Sequence, residues 1–97
     1  MKAVFIVYNQ SLTGYVQEIL SNMMLRGYTQ WTGITGTGTF KGEPHEGTHT
    51  WPELNNAHLV VTADEKANRL IEQLRSLNSG EEEQGLRAFV WSVEEGV

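Results

Sequence analysis

Lys2 to Tyr8, KAVFIVY, is a β-branched and aromatic run closed by the turn-forming Asn9-Gln10-Ser11, which predicts a strand. Alternation puts Ala3, Phe5 and Val7 on one side and Val4, Ile6 and Tyr8 on the other, so both sides are apolar. A strand with one wet face alternates apolar with polar; this one is expected to be covered on both faces. Leu12, Val16, Ile19, Leu20 and Met23 then recur at helical spacing, predicting an amphipathic helix from about Leu12 to Arg26. Ser11 is its expected N-cap and Gly27 its stop. The Met23-Met24 pair is expected to pack in the core.

Threonines, Trp31 and Ile34 give Tyr28 to Thr39 strand propensity, interrupted by Gly33, Gly36 and Gly38. So much glycine in a strand marks a bulge or a close approach of ligand or backbone. Gly33 to Pro52 holds five glycines, two histidines and two glutamates and can bury little apolar surface, so a mobile loop over about 40–52 is expected. Ala57 to Thr62 (AHLVVT) is the next strand. Thr62 and Glu65 read as a capping box opening a helix, with Ala63, Ala67, Leu70, Ile71, Leu74 and Leu77 on one face. Asn78-Ser79-Gly80 ends it, and Leu86 to Val93 is the last strand, apolar on both faces like the first. The order β-α-β-β-α-β is the split βαβ arrangement of the ferredoxin-like α+β class: a four-stranded antiparallel sheet with two helices on one face. Two helices cover only one face of such a sheet, so the other is expected to meet another copy of the chain.

The 97 residues predict one domain, 1–97. No cysteine is present, which excludes disulfides and thiolate chemistry. Twelve acidic against seven scattered basic residues give a net charge of −5, which argues against nucleic acid and anionic membrane as partners. No apolar run approaches the roughly 20 residues that span a bilayer, and no signal-peptide pattern precedes Lys2; a cytoplasmic protein is expected.

Three stretches together resemble the PII-like signalling superfamily, of which the chain would be a short, divergent member. Gly36-Thr37-Gly38-Thr39-Phe40-Lys41-Gly42 follows the Gly-x-Gly-Arg-Gln-Lys-Gly pattern at the base of that family's long loop. Leu59-Val60-Val61 leads into Asp64 and the second helix as it does there. Phe89-Val90-Trp91-Ser92-Val93-Glu94-Glu95 is similar to the family's last strand, Phe-Val-Tyr-Pro-Val-Glu-Glu. The resemblance implies a non-catalytic homotrimer that binds a small effector, an adenine nucleotide in relatives, in clefts between subunits. It also implies regulation of a target protein, such as a membrane transporter, through the loop. On this alignment Gly36 and Gly38, with Thr37 beside them, present backbone to the effector, Arg87 falls at a phosphate-contacting lysine, and Thr29 at a position facing adenine. Thr39 and Phe40 stand where relatives carry arginine and glutamine, and Glu81-Glu82-Glu83-Gln84 replaces a glycine-rich loop.

The loop itself offers another chemistry. His45, Glu46 and His49 could ligate Zn or Cu, with His58 or an acidic residue supplied by a neighbouring copy. Some short PII-like proteins are associated with heavy-metal efflux, so a metal-binding regulator is the alternative. His58 itself, within a strand, is expected to be partly buried with one nitrogen hydrogen-bonded. A small hydrolase is the third reading; its basic cradle after the first strand is absent, and no nucleophile stands beside a base in the sequence.

Overall fold

The computed structural model describes residues 1–37, 44–45, 54–79 and 85–97. Of the expected loop 40–52, only Pro44 and His45 fall within it.

Strand β1 (Lys2–Asn9) is central because both of its edges are used. On one side it pairs antiparallel with β5 (Asn55–Thr62), Phe5 opposite Leu59; on the other with β6 (Leu86–Ser92), Phe5 opposite Phe89. Strand β2 (Tyr28–Ile34) adds to the far side of β5, giving the order β2-β5-β1-β6. Each helical crossover thus skips one strand, as the ferredoxin-like arrangement requires. A second, two-stranded ladder pairs β3 (Gly36–Thr37) with β4 (Pro44–His45), an addition to the four strands expected.

Even-numbered residues of β1 are sealed beneath the helices. Val4, Ile6 and Tyr8 pack with Val16 and Leu20 of α1 (Thr13–Asn22), Leu70 and Leu74 of α2 (Asp64–Asn78), and Val60 and Leu86 from the flanking strands. At about 25 cal/mol per Å² of apolar surface, this layer is the main source of stability. The opposite face carries Phe5, Val7, Trp31, Leu59, Val61, Phe89 and Trp91, and no element among the described residues covers it: Phe89 is 55% exposed and Trp91 49%. Phe5 and Trp31 meet edge to face there, with centroids 6.2 Å apart. The second apolar face expected of β1 and β6 is thus present and left open by the described residues.

Three local expectations are corrected. Ser11 does not cap α1: Asn9 accepts a hydrogen bond from its N–H and opens a 3-10 turn, Gln10–Leu12, from which the helix continues. Nor does the helix run to Gly27. The Leu25 N–H returns to the Leu20 carbonyl and the Met24 N–H to that of Ser21, a Schellman ending in which Met24, at φ 59°, takes the left-handed position. Leu25 and Leu20, both buried, supply the apolar contact that accompanies it, so Met23 is core while Met24 stands exposed. Finally, α2 begins after Ala63 rather than Thr62, which is still paired to Lys2 in the sheet. Asp64 and Glu65 place negative charge at its N-terminus. A hydrogen bond from the Met1 ammonium, 2.8 Å away, holds the Asp64 carboxyl below its usual range; the pair is exposed and adds little stability.

Candidate functional site

Two of the residues expected to face an effector lie at the β2 end of the sheet. Thr29 pairs with Leu59 and sits, exposed, on the uncovered face. Beyond Trp31 the register shifts, since Trp31 is opposite Ala57 but Ile34 is opposite Asn55. Gly33, at φ 64°, makes this bulge possible, a conformation costly for any residue with a Cβ. Gly36 then passes so close to Asn55 that a Cβ on it would lie 3.0 Å from the Asn55 amide nitrogen. Backbone rather than side chain is therefore what this strip presents. Thr37 follows in the ladder opposite Pro44, and Gly38 lies outside the described residues.

Arg87 lies at the other end. Asn9 donates to the Gly85 carbonyl and Val93 to that of Met1, so the odd-numbered residues of β6 bond to β1. The even-numbered ones, Leu86 and Ala88 among them, turn their N–H and C=O groups to the free edge. A groove of about 240 Å³ runs there between β6 and α2, lined by Arg75, Asn78 and Arg87 with Ile71, Leu74 and Leu86. Neither guanidinium forms an ion pair among the described residues. Two cations, an amide and outward backbone donors suit an anion carried on an apolar body. Arg75 was not singled out in the sequence, where it reads as one more solvated position in the last turn of α2.

The two ends do not meet within one chain. β2 and β6 are opposite edges of the sheet, three strand spacings or about 14 Å apart.

Between them, on the helix side, lies a polar core. The Tyr8 hydroxyl and His58 Nδ1 are 3.0 Å apart, and Tyr28 meets the imidazole edge to face at 4.8 Å. His58 is fully buried, and its Nε2 has no hydrogen-bond partner among the described residues. Burial pushes its pKa below the ordinary value; it also pushes that of Tyr8 up, against a smaller opposing effect of the Thr13 hydroxyl. His58 was expected to be partly buried; it is wholly so, which removes it as a ligand for a metal held by a neighbour. Of the loop set, only the backbone of His45 is described, and Glu46 and His49 lie outside the described residues. Among the described residues no three His, Cys, Asp or Glu side chains cluster to hold a metal.

No family model matches the chain, and no curated protein matches it in sequence. Solved structures do. CPII of Thiomonas intermedia K12, a nitrogen regulatory PII-like protein bound to ADP, AMP and bicarbonate, superposes with a TM-score of 0.74 at 18% identity, over 93% of this chain and 82% of that one. The chain has the PII-like fold. The apo form of CPII matches at a TM-score of 0.68 and 14% identity, over 93% of this chain and 85% of that one. A protein assigned as PII-like and signalling from Thermus thermophilus matches at 0.61 and 20%, over 93% and 82%. Thr29 thus lies on the β2 edge of the sheet, with Gly36 just past β2 in the separate β3–β4 ladder, and Arg87 with Arg75 lies at the other edge.

Proposed function

We propose that the protein is a non-catalytic member of the PII-like superfamily that binds a small anionic effector, an adenine nucleotide, between subunits of a homotrimer. One observation carries this reading: the backbone strip at Gly36, just past β2, and the basic groove at Arg87 lie toward opposite edges of a sheet whose second face is apolar and, among the described residues, uncovered. A head-to-tail ring that buries that face brings the β2 edge of one copy to the β6 edge of the next, and closed rings of this kind are the ordinary outcome of heterologous contacts. The nucleotides bound to CPII support the effector class. Gly36, Thr37 and Gly38 would present backbone donors, Thr29 would line the adenine side, and Arg87 would hold phosphate.

The 40–52 segment would be the output surface, ordered or displaced by the effector to engage a cytoplasmic target protein such as the soluble face of a transporter. No helix among the described residues is long and apolar enough to cross a membrane.

Calorimetric titration with ADP tests the reading. Wild type is expected to bind, and Arg87→Ala to bind at least about tenfold more weakly, the usual worth of a hydrogen bond to a charged group. No heat from ADP or AMP, with stoichiometric Zn²⁺ uptake abolished by His45→Ala/His49→Ala, would overturn it in favour of a metal-binding regulator.

A further inference from the structure

Between the paired positions Trp31↔Ala57 and Ile34↔Asn55, two residues of β2, Thr32 and Gly33, stand against one of β5, Asn56. This is a bulge with glycine in the left-handed conformation, and a bulge leaves a backbone group without its ladder partner. Here the Gly33 N–H is donated to the Asn56 side-chain oxygen at 2.9 Å. The amide nitrogen of Asn56 donates in turn to the Thr13 hydroxyl at 2.8 Å, and that hydroxyl donates to the Gln10 carbonyl at 2.6 Å. Asn56 is only 8% exposed, so both halves of its amide are committed. No other side chain of similar size offers an acceptor and a donor in this fork.

The bulge also sets which way the next residues face. Before it, odd-numbered residues of β2 lie on the uncovered face with Leu59 and Ala57; after it Ile34 does, opposite Asn55, and Gly36 follows against the same Asn55 side chain. A one-residue slip would turn Gly36 to the other face. We infer that Asn56 is the positioning residue of the candidate effector site: by taking up the orphaned Gly33 N–H, its side-chain oxygen locks the bulge that aims the Gly36–Thr37 strip at the cleft, while its bond to Thr13 is a separate tie to α1. The inference rests on the effector reading for its functional consequence and on the bulge alone for its structural one.

Residue-resolved amide exchange together with ADP titration tests both parts. In wild type the Gly33 amide is expected to be protected although it is outside the ladder; exchange at the rate of an exposed amide would overturn the inference without any variant. Asn56→Ala removes the bonds to Gly33 and to Thr13, and Thr13→Val removes the latter together with the exposed bond to Gln10, so each loses two hydrogen bonds but only Asn56→Ala loses the one that holds Gly33. The inference requires that Asn56→Ala speed exchange at Gly33 and weaken ADP binding, each about tenfold, while Thr13→Val leaves Gly33 protected and the affinity within about twofold. Equal loosening in both variants, or unchanged Gly33 exchange in Asn56→Ala, would overturn it. If wild type binds no ADP, the effector reading fails while the exchange results still decide the role of Asn56 in holding the bulge.

Discussion

His58 shows what a single residue does to the response of the whole chain. It lies fully buried against Tyr8 and Tyr28, and desolvation holds its pKa below the ordinary value near 6.5. Folded chains therefore bind fewer protons than unfolded ones once the pH drops below that ordinary value. The contribution is fully present above it and is lost progressively as the pH falls toward the depressed folded value. The urea midpoint of wild type is expected to fall between about pH 7 and pH 5, and His58→Leu, with no proton to take up, should lose that part of the slope. A difference between the two proteins that does not change with pH would contradict this. The burial of His58 was legible in the strand pattern around it. Its partner was not, because Tyr8 lies 50 positions away and comes alongside only through the β1–β5 register. Asn56 was illegible for a similar reason: one asparagine in a strand has no periodicity, and its task appears only when the bulge opposite it is known.

Elements were read better than their ends. Apolar patterning marked three of the four main strands and both helices, because burial selects residues at every second or every third to fourth position, whereas the exposed β2 was read from the β-propensity of its threonines, Trp31 and Ile34. Caps failed where tertiary pairing overrode local chemistry: Thr62 stays in the sheet and so cannot open α2, and the buried Leu25 draws α1 to a close at Met24 instead of Gly27. That ending leaves an exposed methionine at a φ of 59°. Met24→Gly is therefore expected to raise stability by about 1 kcal/mol, the cost a Cβ carries in the left-handed region. Denaturant unfolding of the two proteins measures this, and a destabilised variant would show that the helix ending does not require the left-handed residue.

At the scale of the molecule, topology decides what the sequence could only list. Thr29 and Arg87 could be nominated one by one, but that they fall on opposite edges follows from the order β2-β5-β1-β6 and from nothing local. The apolar second face was foreseeable from the doubly hydrophobic β1 and β6. Its extent among the described residues, from Trp31 to Trp91 across four strands, is that of an interaction surface. The central claim is that each effector site is assembled from two copies, so the most direct measurement mixes two defective ones. On this account Arg87→Ala would spoil the β6 side of the cleft and Gly36→Val the β2 side, so ADP is expected to bind poorly to either variant alone. Co-refolded in equal amounts into assemblies three times the 10.9 kDa chain mass, they should regain wild-type affinity in about a quarter of the clefts, those pairing an intact edge from each. Recovery of no sites in verified mixed assemblies, or a wild-type protein that stays monomeric while binding ADP, would contradict the account.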